Sequence, residues 1–267
     1  MGKESKIVFA VIIIACLMFI LIYSLNKTNK NMKTVNQIVD TVLNADTETM
    51  LYVGSSECEA CDLQGSQMSL LLENYDFQYY YVDFNKIPTT SAKTKFIKNI
   101  GVDTLEDFST PTILIYKDGK IVSQTSGLTS INKIFNALQK NNIISAKDSL
   151  PVNYLSLSSF IDLTEDNAKQ VVMIGSVAKV DSNSAQEIIW NIAKENNIKI
   201  NYLMINDLSE KEGATFEKTL NFYSVDNNPV TTPSMLIIEN GQVTNFIADL
   251  QNSDAYIAFL KENSIID

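Results

Sequence analysis

The sequence predicts an α/β protein, two copies of one domain in tandem, each a central mixed sheet flanked by helices, preceded by one transmembrane helix. Three observations predict it. Residues 7–25 form an apolar run without charge. From residue 35 onward, short apolar runs alternate with segments of helical periodicity. The second half also repeats the first. A shift of 121 residues lays Tyr52-Val53-Gly54-Ser55 over Met173-Ile174-Gly175-Ser176, and Tyr81-Val82-Asp83-Phe84-Asn85 over Tyr202-Leu203-Met204-Ile205-Asn206. One further residue of shift lays Thr110-Pro111-Thr112-Ile113-Leu114 over Thr232-Pro233-Ser234-Met235-Leu236.

The 19 residues of the run at 7–25 suffice to cross the hydrocarbon core of a bilayer. No small-residue cleavage signature follows, so the run reads as an uncleaved anchor. Ile13-Ile14-Ala15-Cys16 resembles a lipoprotein box, but further apolar residues after Cys16 argue against cleavage there. Lys6 stands where N-myristoylation needs Ser or Thr. Lysines flank both sides (Lys3 and Lys6; Lys27, Lys30 and Lys33), so the positive-inside balance is close to even. A short cytoplasmic tail with the bulk of the chain outside the cell membrane is the expected arrangement.

Beyond a Lys/Asn-rich linker, Val35, Ile38, Val39, Val42 and Leu43 have helical spacing. A strand is expected at 50–53, then a helix to about Asn74, a strand at 78–83 rich in β-favouring tyrosines, and a helix at 92–100 stopped by Gly101. Thr112-Ile113-Leu114-Ile115-Tyr116-Lys117-Asp118-Gly119-Lys120-Ile121-Val122 reads as strand, Asp-Gly turn and strand, with Pro111 at its head, where it cannot donate to a ladder. A helix at 130–139 carries Ile131, Ile134, Phe135 and Leu138 on one stripe. The matching hairpin of the second half turns on Asn240-Gly241. Expected boundaries are 1–33 for tail, anchor and linker, 34–148 for the first domain and 149–267 for the second.

The chemistry concentrates at Cys58-Glu59-Ala60-Cys61, between the first strand and its helix. Positions i and i+3 of a first helical turn lie on one face, close enough for a disulfide. Cys58 also falls where unpaired helix N–H groups favour a thiolate. It is the candidate exposed nucleophile, and Cys61 the shielded resolving thiol. The same spacing serves zinc sites and static staples. Zinc lacks ligands here, because the chain has three cysteines, one of them Cys16, and no histidine. A static disulfide over so short a loop constrains little. In the second half, Lys179 and Ser182 occupy the two cysteine positions, so that copy cannot exchange disulfides.

Composition excludes several classes. The absence of histidine removes Ser-His-Asp and Cys-His catalysis and HExxH metalloproteases. The formal net charge of −10, with 31 acidic against 21 basic residues, excludes a nucleic-acid partner. No cofactor and no metal are implied. Tyr79-Tyr80-Tyr81 reads as strand packing, Trp190 as core or domain interface, and Glu210-Lys211-Glu212 as a solvated helix start.

On Cys58-Glu59-Ala60-Cys61 after a strand, and Thr110-Pro111-Thr112 before the hairpin, the chain resembles the thioredoxin superfamily in both halves, over residues 35–267. The resemblance implies two tandem thioredoxin-like folds, a cis bond at Pro111 and a substrate-binding backbone at Thr110 and Pro111. It implies catalysis by Cys58 and Cys61 on protein or peptide thiols and disulfides, with a further redox partner. An anchored chain of this kind is similar to Gram-positive surface thiol oxidoreductases and bacteriocin-transport accessory proteins. An active copy beside a silent one is similar to protein disulfide isomerases. The reading is therefore a membrane-anchored thiol–disulfide oxidoreductase whose second domain binds partners. The alternative is a non-enzymatic adaptor or transport-accessory protein with a structural disulfide.

The motif departs from the family's Trp-Cys-Gly-Pro-Cys-Lys, reading Glu57-Cys58-Glu59-Ala60-Cys61-Asp62. Each carboxylate about 6 Å from the sulfur costs a thiolate roughly 0.7 kcal/mol in water, enough together to offset much of the helix dipole's ~0.3–1 kcal/mol. Tyr52 also stands where the family carries a buried acid. A comparatively reducing couple is expected.

Overall fold

Runs of apolar residues that must hide on both faces set the centre of each half. The computed structural model describes residues 34–222 and 231–267. The chain divides into two units, Met1–Thr41 and Val42–Asp267. The expected anchor at 7–25 lies outside the described residues, and no helix among the described residues is long and apolar enough to cross a membrane. The first helix, α1, spans Val35–Leu43. Thr34 and Gln37 cap it reciprocally, the Thr34 N–H donating to Gln37 Oε1 (2.8 Å) and the Gln37 N–H to Thr34 Oγ1 (3.3 Å).

The first sheet is built from β1 (Thr49–Gly54), β2 (Tyr79–Asp83), β3 (Thr112–Lys117) and β4 (Lys120–Ser126), in the order β2-β1-β3-β4. β2 runs parallel to β1, whereas β3 and β4 are antiparallel to their neighbours. Every residue of β1 is buried, as an inner strand covered by helices requires. Helices α2 (Glu59–Asn74), α3 (Thr90–Asn99) and α4 (Ile131–Lys140) connect and cover the strands. Thr89 and Ser130 are the N-caps of α3 and α4, so α3 starts two residues before the expected position and α4 one residue after it.

The second sheet adds β5 (Asn153–Tyr154), β6 (Gln170–Gly175), β7 (Asn201–Met204), β8 (Ser234–Glu239) and β9 (Gln242–Ala248), in the order β5-β7-β6-β8-β9. Apart from β5, order and strand direction are those of the first sheet. The repeat extends to an irregularity: β3–β4 shifts register between Ile115 and Tyr116, and β8–β9 between Ile237 and Ile238. Both hairpins turn on two residues of positive φ, Asp118 (51°) with Gly119 (69°) and Asn240 (52°) with Gly241 (72°). That pairing matches strand twist and selects Asp/Asn-Gly. The remaining helices are α5 (Leu157–Glu165), α6 (Val180–Asn196), α7 (Glu210–Phe222) and α8 (Ser253–Glu262). Ser209 and Glu212 cap α7 reciprocally.

One apolar cluster runs through both sheets' helix layers, from Leu71, Ile115 and Ile134 to Ile189, Trp190, Tyr202 and Leu260. Trp190 is fully buried within it. A second cluster, with Leu157, Phe160, Leu203, Phe216 and Leu236, fills the other face of the second sheet. The order β2-β1-β3-β4, with a helix following β1 and a Pro-headed hairpin, makes the fold thioredoxin-like.

At one matched pair of glycines the copies have different surroundings. A Cβ on Gly175 would overlap the Tyr202 hydroxyl and lie 2.7 Å from its Cζ, whereas a Cβ on Gly54 would meet Tyr81 Cε2 at 3.0 Å. Tyr202 is fully buried and Tyr81 is 43% exposed. Gly175→Ala is therefore expected to lower stability by about 1–3 kcal/mol, and Gly54→Ala by under about 1 kcal/mol because Tyr81 can swing into solvent. Tyr202→Phe should recover part of the loss in the Gly175→Ala chain. Urea unfolding of the three variants beside the wild type measures this.

Candidate active site

β1 delivers the chain to a tight turn at 55–57, and Cys58 caps α2 in extended conformation (φ −122°, ψ 108°). Its Sγ accepts the Cys61 N–H at 3.2 Å, and its carbonyl accepts the same N–H (2.9 Å) and that of Asp62 (3.2 Å). The sulfur thus lies against the first turn of the helix, where the Cys61 N–H is shared between it and the Cys58 carbonyl. Cys58 and Cys61 form a disulfide across 5.2 Å between Cα atoms. Cys61 is buried at 6% exposure and Cys58 is half-buried, so attack from solvent falls on Cys58.

The Thr110–Pro111 peptide bond is cis. Pro111 is buried, Thr110 half-buried, and Cys58 Sγ lies 3.5 Å from the Thr110 carbonyl oxygen. A disulfide sulfur carries no proton, so this is a contact when the pair is oxidised; the reduced thiol has a hydrogen to donate there. Two bonds hold that loop, Thr112 Oγ1 donating to Ser109 O (2.6 Å) and the Gly127 N–H to Pro111 O (2.8 Å). The structure therefore brings together all four residues singled out in the sequence: Cys58, Cys61, Thr110 and Pro111.

The turn before Cys58 is pinned from β2. Asp83 Oδ1 accepts the N–H groups of Ser56 (3.2 Å) and Asn85 (3.1 Å), and Lys86 lies 3.4 Å from Oδ2. Burial acts to raise the Asp83 carboxyl, but these donors outweigh it and hold the group below its ordinary 3.8. Tyr52 donates from its hydroxyl to Cys61 O at 3.1 Å. Burial first, then Tyr81, Tyr79 and Asp62, push the Tyr52 phenol upward, so it stays neutral. Glu57, Glu59 and Asp62 are exposed around the sulfur pair.

The second copy reproduces this geometry without sulfur. Lys179 is the N-cap of α6, the Thr232–Pro233 bond is cis, and Lys179 Nζ donates to Thr232 O at 3.4 Å. Ser182 is fully buried. Asn206 Oδ1 accepts from Val177 N and Ser176 Oγ, both at 2.9 Å, doing for that turn what Asp83 does for the first.

A buried polar seam is absent from the sequence reading. Gln64 brackets Thr129, accepting from its N–H (2.9 Å) and donating to its carbonyl (3.2 Å). Gln67 Oε1 accepts the Ile131 N–H that starts α4 (3.1 Å), while its Nε2 donates to Asn183 Oδ1 on α6 (2.8 Å). Asn183 in turn donates to Val177 O at 3.2 Å. Glutamines at 64 and 67 within a helix with an apolar stripe were the available signal.

Among the described residues no cluster of His, Cys, Asp and Glu could hold a metal. No protein-family model and no curated protein matches the sequence. Solved structures to which the chain is similar include thioredoxin from Aeropyrum pernix (13% identity, 41% of this chain and 85% of that one, TM-score 0.34). They also include a mutant thioredoxin from Halobacterium salinarum NRC-1 (12%, 44% and 95%, 0.32) and oxidised mitochondrial thioredoxin 3 from Saccharomyces cerevisiae (15%, 42% and 94%, 0.31). The fold assignment stands on this chain's own strand order, and the Cys58–Cys61 pair supports thiol–disulfide chemistry in general.

A carboxyl depressed on folding contributes stability that is complete above its unfolded value and is lost as pH falls through the folded one. Wild-type stability should therefore drop below pH 3.8 more steeply than that of Asp83→Asn, as read by urea midpoints against pH. Separately, Glu59→Gln/Asp62→Asn should speed alkylation of reduced Cys58 by iodoacetamide at neutral pH, by up to about tenfold for two charges near 6 Å.

Proposed function

We propose that the protein is a membrane-anchored thiol–disulfide oxidoreductase acting on protein or peptide disulfides. Its domains are 34–148, which carries the cysteines, and 149–267, which is redox-silent and binds partners. The observation that carries the reading is the asymmetry of the sulfurs: Cys58 is half-buried at a helix N-terminus, 3.5 Å from the Thr110 carbonyl, and Cys61 is buried behind it. In the reducing direction the Cys58 thiolate attacks a substrate disulfide. A Cys58–substrate bond forms, and the other substrate sulfur leaves as thiolate. Cys61, on losing its proton, attacks Cys58 and frees the second substrate thiol. The protein is left oxidised, and a dithiol partner restores it. Thr110 and Pro111 supply backbone for an extended substrate. The run at 7–25 holds the chain in the cell membrane with the bulk outside.

A second reading, a non-enzymatic adaptor or transport-accessory protein with a structural disulfide, draws on the sulfur-free copy, which keeps the same carbonyl engaged through Lys179. Trapping separates the two. Cys61→Ser in the full-length chain should accumulate mixed disulfides through Cys58, and Cys58→Ser should not, on non-reducing gels of cells quenched with acid. A Cys61→Ser chain that traps nothing favours the adaptor.

A further inference from the structure

We propose that the groove between α2 and α6 docks a cationic, amphipathic segment of the polypeptide whose cysteine meets Cys58. This rests on the oxidoreductase reading and adds a substrate class to it.

The groove encloses about 540 Å³, within the range of ligand-binding clefts. Leu63 of α2, half-buried, and Val180 of α6 give it apolar contact surface, over a floor that includes the buried Leu70. Val180 is 68% exposed, an unusual setting for a valine opening a helix beside another helix. Four carboxylates line it, Glu59, Asp62 and Glu73 from α2 and Glu187 from α6, and no lysine or arginine does. Gln67 and Asn183, bonded to each other at 2.8 Å, lie in its wall and fix the spacing of the two helices, so the groove exists before anything enters.

Its position ties it to the cysteines. α2 and α6 run alongside in the same direction, with Gln67 against Asn183 and Asn74 against Lys194. Their first residues, Glu59 and Val180, both line the groove, so it opens at the end that carries Cys58. From Glu59 to Glu73 the lining follows α2 for about 21 Å at 1.5 Å per residue, which accommodates about six residues of extended chain. A peptide that leaves the groove past Glu59 runs toward the neighbouring Cys58. The acidic rim selects lysine and arginine through charge complementarity, and Leu63 and Val180 select apolar side chains between them. A second copy of this chain is a poor occupant, because its formal net charge is −10.

The test uses the oxidised full-length chain in nonionic detergent and a fluorescent, cysteine-free hexapeptide of alternating lysine and leucine, with a glutamate–leucine peptide for comparison. Fluorescence anisotropy should show binding of the lysine peptide only, weakening as salt rises. Glu73→Lys/Glu187→Lys should weaken it by about tenfold or more, while Glu106→Lys/Glu262→Lys, outside the groove, should leave it unchanged. Equal affinity in the groove variant and wild type, or equal loss in both variants, overturns the proposal. No sulfur takes part in this binding. Failure of Cys61→Ser to trap partners would therefore remove the exchange reading alone, and failure of the peptide to prefer the groove would remove the docking proposal alone.

Discussion

A buried side-chain amide must find partners for both its ends, because an unpaired one costs about 1–3 kcal/mol. Gln67 meets that constraint in a way on which the architecture depends. Its oxygen holds the first N–H of α4 and its nitrogen holds Asn183 of α6, so the helix that carries the cysteines is fixed to its own lobe and to the other by one side chain. Gln64, one turn earlier, fastens the same helix to the residue before the α4 cap. Apolar contact around these bonds is extensive but non-directional; the bonds decide the rotation of α2 about its axis. That rotation determines which sulfur faces outward.

The two halves show which parts of the architecture follow from backbone geometry and which from chemistry. The register shift, the cis bond before the third strand and the two-residue turn of positive φ are kept in both. Those features shape the chain and need only particular backbone conformations. The helix-start residue is free to change, and sulfur in one half becomes an ammonium in the other, each reaching the carbonyl before a proline. The turn anchor differs as well: the carboxylate of Asp83 in one half, and in the other the amide of Asn206, two positions further along than the match of Asp83.

Much of this was legible in the sequence, for physical reasons. Inner strands buried on both faces must read as unbroken apolar runs, and residues 50–53 and 113–116 do. Asp118-Gly119 and Asn240-Gly241 announce the hairpins because few other pairs tolerate positive φ twice. The cysteine pair was legible because a strand end and a helical stripe bracket it. The packing of the lobes was not. It runs through Gln64, Gln67 and Asn183, and polar residues in a helix read as surface until a partner from a distant segment covers them. The groove was hidden for the same reason, since its walls come from segments more than a hundred residues apart.

Lys179 has a consequence of its own. An amine in the place of a thiol has no oxidation state to change under ambient oxidants, so its link to Thr232 O is indifferent to the surrounding thiol poise. One half thus presents the same contour whether the cysteines of the other are paired or reduced.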